Sequence, residues 1–197
     1  MFDSIYQSTP KQMIKRIHNL LEHADMVFHY HGTSFDIPTL NKEFIAHGLK
    51  PPSPYKEVDL LKTIRKRFRF ASNKLDYVAQ KLGLGKKHPH KGHELWIECM
   101  AHKQEAWATM EEYNRQDVVL LEKLYYRVLP WIKHHPNHSA FDNRPICPNC
   151  GHDKAQCRGF ALTQTGKYQR YQCKGCGSWY RSVEREPMAK YQRRVGV

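Results

Sequence analysis

Two Cys-x-x-Cys turns, "CPNC" at 147–150 and "CKGC" at 173–176, bring four thiols within reach of one ion. Zn²⁺ takes four thiolates in a tetrahedron, and each such turn offers two sulfurs. Cys147, Cys150, Cys173 and Cys176 are therefore the expected zinc ligands, with Gly151, Gly175 and Gly177 suiting the tight backbone between them. Cys157 falls in a strand-like stretch and Cys99 in a helical one, which leaves both as free thiols. A second chemistry lies in "EEYNRQDVVLLEKLYY", where Tyr113 and Asp117 stand four residues apart. On a helix that spacing puts phenol and carboxylate on one face, one turn apart. The carboxylate can hold Mg²⁺ or Mn²⁺ while the phenol orients a water for attack on phosphorus. Two-metal phosphoryl chemistry gathers several carboxylates around ions about 4 Å apart. Asp36, in "FHYHGTSFDIPTL", is the second acid, and Asp59 is a candidate third.

The elements that must carry these groups can be read from periodicity. Ser8-Thr9-Pro10 is a helix start, a capping hydroxyl before proline in the first turn. Met13, Ile14, Ile17, Leu20 and Leu21 follow at helical spacing. "DMVFHYH" (25–31) is a short strand, and a helix from Pro38 to His47 is stopped by Gly48. "EVDLL" (57–61) is a second strand with Asp59 inside it, and "NKLDYVAQKLG" another helix ending at Gly83. "GLGKKHPHKGHE" is a polar loop, and residues 92–126 are helical with a break near His102. The histidines of "HPHKGH" and "HHPNH" read as solvated loop residues rather than a further metal site.

Past "WIKHHPNHSAFDNRP" the long helices stop, and Gly, Cys, Gln and Tyr take over. The expected division is an α/β domain over 1–138, a small β zinc ribbon over 139–185 and a basic tail over 186–197. In the ribbon a hairpin turns at Thr165-Gly166, and "SWYRS" adds a third strand. The first domain is short of strands. Its helices carry apolar stripes that need a sheet, and a parallel sheet is stable only with several strands.

Thirty-two Lys and Arg against nineteen Asp and Glu leave a net charge of +13. Such an excess attracts polyanions, of which nucleic acid is the commonest. In the ribbon Arg158, Lys167, Tyr168, Arg170, Tyr171 and Trp179 interleave cations with aromatic rings, a pattern suited to phosphates and stacked bases. No apolar run is long enough to span a bilayer, so no membrane partner is expected. Paired Cys-x-x-Cys turns favour metal ligation in a reducing compartment, which makes a cytoplasmic location the expectation.

Three segments in order, "HGTSFDIP", "KLDYVAQKLGLGKK" and "YNRQDVVLLEKLY", resemble the DEDD superfamily of 3′–5′ exonucleases. More narrowly they resemble its tyrosine subgroup, which includes the proofreading domains of family B DNA polymerases and related phage and bacterial exonucleases. The resemblance covers roughly residues 10–135, leaves the ribbon outside, and implies a ribonuclease H-like fold. It makes Asp36 the acid of the second exonuclease motif, Asp117 the acid of the third, and Tyr113 the tyrosine that positions the attacking water. Two departures stand out. His31 occupies a position where the family shows Asn. The first motif, Asp-x-Glu on a strand, has no counterpart, since Asp3 stands alone in "MFDSIYQ". With the shortage of strands, this implies that Met1 lies inside a longer ancestral domain, through either a shortened gene product or a start placed too far downstream.

The function expected from these readings is that of a nucleic-acid-binding protein of 3′–5′ exonuclease type. It would act on DNA, single-stranded or at frayed 3′ ends, with hydrolysis weak or absent because the first-motif acids are missing. The alternative is a non-catalytic nucleic-acid-binding module with a degenerate nuclease scaffold and a functional ribbon. A third reading has the ribbon dock a protein partner.

Overall fold

In the computed structural model, residues 9–87, 92–141 and 144–187 are described. The segment "MFDSIYQ", four residues of the histidine-rich loop (88–91) and the basic tail beyond Pro187 lie outside them. The chain divides into two compact units, the first ending at Val128 and the second beginning at Leu129.

The first unit opens with α1 (Pro10–Glu22). Its start is fixed by a reciprocal cap, in which Gln12 N–H donates to Thr9 Oγ1 at 3.3 Å and Thr9 N–H to Gln12 Oε1 at 3.0 Å. β1 (Met26–His29) leads through a short 3₁₀ turn at Gly32–Ser34 into α2 (Asp36–Ala46). β2 (Lys56–Asp59) then runs parallel to β1, with His29 opposite Asp59. α1 and α2 bury Ile14, Leu21 and Phe44 against Val27, Leu40 and Leu49. α3 (Leu60–Arg67) starts where β2 ends, which corrects the expected strand over 57–61. The Asp59 carboxylate accepts the Leu61 N–H at 3.0 Å, so it caps a helix there, and Leu60, Leu61 and Ile64 turn into the core.

α4 (Leu75–Lys81) buries Val78 and Ala79. α5 (His93–Met100) and α6 (Gln104–Val128) are separated by a turn in which His102 takes a φ of 57°. α6 buries Leu120, Leu124 and Val128, and Tyr125 packs edge-on to Phe28 of β1 at 4.5 Å between ring centroids. Among the described residues of this unit the sheet has the two strands β1 and β2 alone. The unit is therefore held chiefly by helices covering a narrow parallel ribbon.

The second unit is a three-stranded antiparallel sheet in the order β3 (Ala155–Leu162), β4 (Lys167–Cys173), β5 (Trp179–Arg185). Thr163 N–H donates to Gly166 O at 2.9 Å and closes the expected hairpin. No helix among the described residues is long and apolar enough to cross a membrane.

Candidate functional site

In the first unit the chemistry gathers at the C-terminal ends of the two strands. His29 is buried, and its Nδ1 accepts the Gly32 N–H at 3.0 Å. That bond leaves the ring proton on Nε2, which faces Glu57 Oε2 at 3.1 Å, and Thr33 Oγ1 donates to the same oxygen at 3.0 Å. His31 takes the left-handed conformation, with φ of 75°, and its N–H donates to Asp59 Oδ1 at 2.9 Å. Asn and His are both enriched in that region of backbone space, which explains how His31 can fill a position where Asn was expected. Asp59 thus holds two backbone amides on one buried oxygen. Through these bonds it ties β1 to the start of α3.

A cleft of about 780 Å³ opens beside these strands. Tyr30, Arg65, Asn73, Asp76, Lys87 and Asp117 contribute its polar lining, and Leu61, Leu75, Val118 and Leu121 its apolar floor. Tyr30 Oη donates to Asn73 O at 2.6 Å, and burial pushes its phenol up to about 12, so it stays a donor at neutral pH.

Tyr113 and Asp117 do share a face of α6, and one cation joins them. Lys87 Nζ donates to Asp117 Oδ2 at 2.5 Å and to Tyr113 Oη at 3.0 Å. Burial alone would lower the Lys87 ammonium, but the bonds to Asp117 and Tyr113 outweigh it and hold it above the ordinary lysine value. Sequence reading placed Lys87 in a polar loop and missed it. The loop is built to deliver it. Lys87 N–H donates to Asp76 Oδ1 at 2.8 Å, and Gln116 Nε2 donates to Lys86 O at 2.7 Å. Asp36 is elsewhere, exposed at the first turn of α2, and does not line the cleft.

These residues can be tested against a divalent metal centre. Asp117 Oδ2 is occupied by an ammonium, and Oδ1 is buried without a hydrogen-bond partner. Among the described residues, the one group of three or more His, Cys, Asp or Glu side chains whose ligand atoms all lie within 4.8 Å of one another is the cysteine cluster. As arranged, the described carboxylates do not fit a catalytic metal pair.

The cysteines do fit an ion. Sγ atoms of Cys147, Cys150, Cys173 and Cys176 all lie within 4.8 Å of one another. The separations 147–176 and 150–173 are 3.8 and 3.6 Å. A tetrahedral ZnS₄ centre with Zn–S of about 2.3 Å has an S–S edge of about 3.8 Å. The two turns are built alike: Gly151 N–H returns to Cys147 O at 2.9 Å, and Gly177 N–H to Cys173 O at 3.1 Å. Burial pushes the Cys147 thiol up to about 11 and raises Cys150 further. Burial would raise Cys173 too, but the Cys176 and Gly175 amides bring it below the ordinary thiol value. An ion entering this cluster must therefore displace protons.

The ribbon sheet has two chemically different faces. Cross-strand partners share a face, and Tyr168 pairs with Arg185, Arg170 with Arg181, and Gln172 with Trp179. Gln156 pairs with Gln172, and Arg158, two residues on, bonds the Gln156 side chain. One face thus carries Arg158, Arg170, Arg181 and Arg185 with Tyr168 and Trp179. Arg170 lies over the Trp179 ring at 4.9 Å and Arg181 over Tyr168 at 3.7 Å. Glu184, the one acid in these strands, has the opposite parity. Lys167 and Tyr171, also expected to contact nucleic acid, belong to the other face. There Tyr171 stacks on Tyr180 at 5.5 Å, beside Ile146 and Pro148. Arg185 was not singled out in the sequence; alternation from Arg181 was the available signal.

The RNase_H_2 family model, of the RNase H superfamily, matches residues 4–129. No curated protein matches the chain.

Proposed function

The chain belongs to the RNase H superfamily over residues 4–129, and from that premise we propose a nucleic-acid-binding protein of 3′–5′ exonuclease type with weak or no hydrolysis. The fold is that of a nuclease family whose members use divalent metals. The resemblance to the tyrosine subgroup supplies the direction of cleavage, and Tyr113 and Asp117 are the residues that would carry it. The observation that governs turnover is the Lys87 ammonium bonded to both of them. A carboxylate paired with an ammonium in this way is a poorer ligand for a divalent ion, and the Tyr113 phenol accepts from the same ammonium. Binding would rest on the arginine face of the ribbon and on single-stranded DNA, with Zn²⁺ held by the four cysteines as the structural ion of that unit. Arg170 and Arg181 each cover one side of an aromatic ring, and although Arg170 Nε–H donates to Arg158 O at 2.9 Å, the terminal guanidinium N–H groups are the ones suited to phosphate oxygens.

The decisive experiment combines a Mg²⁺ or Mn²⁺ assay on 3′-labelled single strands with fluorescence anisotropy on the same oligonucleotide. The reading expects salt-sensitive binding and little release of label, unchanged in Asp117→Ala. Robust cleavage abolished by that substitution would overturn the expectation of weak turnover. Binding that is absent or indifferent to salt would overturn the nucleic-acid reading itself.

A further inference from the structure

We infer that the first unit has a nucleic-acid contact surface of its own: the basic segment from α3 to Lys74 grips the phosphodiester backbone of a single strand. This rests on the protein being a nucleic-acid binder, and it adds a second place of contact to the arginine face of the ribbon. Residues 60–74 carry six cations, Lys62, Arg65, Lys66, Arg67, Arg69 and Lys74, and no Asp or Glu. Leu60, Leu61 and Ile64 take the buried side of α3, which leaves Lys62, Arg65 and Lys66 exposed. Arg69 and Lys74 are exposed in the segment that follows.

The acids that flank this segment in sequence are committed elsewhere. Glu57 faces His29 and accepts from Thr33, Asp59 holds the His31 and Leu61 amides, and Asp76 holds the Lys87 amide and the Gln80 side chain. Other exposed cations do have carboxylate partners, as Lys42 has Glu43, Lys103 has Glu98 and Arg115 has Glu111. Among the described residues Lys62, Lys66 and Arg69 have none. Helix polarity does not account for the run either. It favours cations in the last turn, where Arg65, Lys66 and Arg67 stand, but disfavours Lys62 in the first turn and does not reach Arg69. Lys62 and Lys66, one turn apart, also repel each other. A polyanion relieves this repulsion on binding.

The partner is a nucleic acid rather than an anionic membrane. No large apolar side chain of residues 60–74 is exposed, so nothing there would enter the headgroup region of a bilayer. Phe68 and Phe70, with ring centroids 5.7 Å apart, are half-buried and flank Arg69 in sequence. Arg65 and Lys74 line the cleft as well, so the charged surface reaches from the exposed side of α3 to that cleft. Side chains of this kind hold phosphates and fix the course of a strand without reading its bases.

The test is fluorescence anisotropy of the zinc-loaded full chain on oligothymidine and oligouridine strands, from low to physiological salt. Two variants are compared with wild type: Lys62→Gln/Lys66→Gln/Arg69→Gln, and a control, Lys11→Gln/Lys15→Gln/Lys123→Gln, that removes equal charge from other exposed places. At about 0.7 per phosphate contact, the first triple should make the slope of log affinity against log salt shallower by about 2, and the control should leave it unchanged. Equal changes in both triples would reduce the effect to overall charge and overturn the inference. A change on only one of the two strands would overturn it too, because the backbone contact is common to both. An unchanged slope in the first triple, with the slope still altered by Arg170→Gln/Arg181→Gln, would overturn it and leave binding by the ribbon standing. A wild-type chain that binds neither strand would overturn both. Cosedimentation with vesicles of phosphatidylcholine and phosphatidylserine tests the membrane: vesicle binding abolished by the first triple, with strand affinity unchanged, would assign the surface to lipid instead. Far-ultraviolet dichroism of each variant confirms that folded chains are being compared.

Discussion

His29 and Gly32 are locked to each other at the end of β1: the Gly32 N–H donates to His29 Nδ1 at 3.0 Å, and a Cβ added to Gly32 would lie 2.6 Å from His29 Cγ. The close approach and the hydrogen bond are the same contact. It fixes the ring tautomer, and through Nε2 it points His29 at Glu57.

Gly32→Ala is accordingly expected to destabilise the first unit by about 2–4 kcal/mol, the sum of an overpacked contact and a lost hydrogen bond. The ring cannot swing away cheaply, because it is only 9% exposed. Urea denaturation followed by far-ultraviolet dichroism measures the loss. A change within experimental error of wild type would show that His29 has room to move and that the locking is not real.

Asp59 joins two elements through one oxygen, accepting from His31 at 2.9 Å and Leu61 at 3.0 Å. Asp59→Ala removes a helix cap and strands a backbone amide, together about 2–4 kcal/mol. Asp59→Asn retains an acceptor at the same place and should cost clearly less. Equal losses for the two variants would mean that the negative charge, not the acceptor, is what the fold uses.

Asp59 ends β2 as the sequence expects, but Leu60 and Leu61 open α3 instead of extending the strand. In "EVDLL" a half-buried strand and a capped helix start look alike over five residues. The distinguishing signal was Leu60, Leu61 and Ile64 recurring at helical spacing behind a capping residue. Local signals were legible where the chemistry is local. Thr9-Pro10 starts α1, Thr163 and Gly166 close the hairpin, and the cysteine spacing assembles four sulfurs. Lys87 was not legible, because its meaning depends on Asp117, thirty residues away in sequence. Nothing in "GLGKKHPH" distinguishes a lysine in solvent from one that fills a catalytic-looking site. The two faces of the ribbon were hidden for a related reason. Interleaved Arg, Lys, Tyr and Trp suggest one surface until the register sorts them onto opposite sides.

The acid limit of the Lys87 loop follows from Asp76. The Lys87 amide holds this carboxyl below its ordinary value; burial opposes it, and Gln80 and the nearby lysines add smaller lowering effects. A depressed carboxyl stabilises the fold fully above the unfolded value, near pH 3.9. The contribution is lost as pH falls through the lower, folded value. The Lys87 amide proton resonance should therefore stay constant from neutral pH down to about pH 4. It should move only below that, and Asp76→Asn should abolish the transition. A midpoint above about pH 4 would contradict the hydrogen bond as described.

Removing the ion from the ribbon should unfold that unit, since so short a three-stranded sheet buries too little to stand without it. Its buried set is small, with Ile146, Cys147, Cys173 and Ser178 prominent, and two of these are the proposed ligands. The purified chain is expected to contain one equivalent of zinc by atomic emission. A chelator should abolish the dispersed resonances of residues 155–185, and Cys147→Ser should prevent their appearance. A zinc-free chain with those resonances intact would refute the structural role of the ion.

The last prediction separates the two faces of that sheet. If phosphates meet the face of Arg158, Arg170, Arg181 and Arg185, each arginine in contact contributes about 0.7 to the slope of log affinity against log salt for a single strand. Arg170→Gln/Arg181→Gln should then make the slope shallower by about 1.4 and weaken binding of every sequence alike. Lys167→Gln/Tyr171→Phe alters the opposite face, where Tyr171 stacks on Tyr180 and Lys167 sits 3.6 Å over Phe160. Anisotropy titrations between low and physiological salt distinguish the pairs. The arginine pair must change the slope and the second pair must not. Equal effects from both would mean that the strand wraps the sheet or binds elsewhere, and the register would then carry no information about recognition.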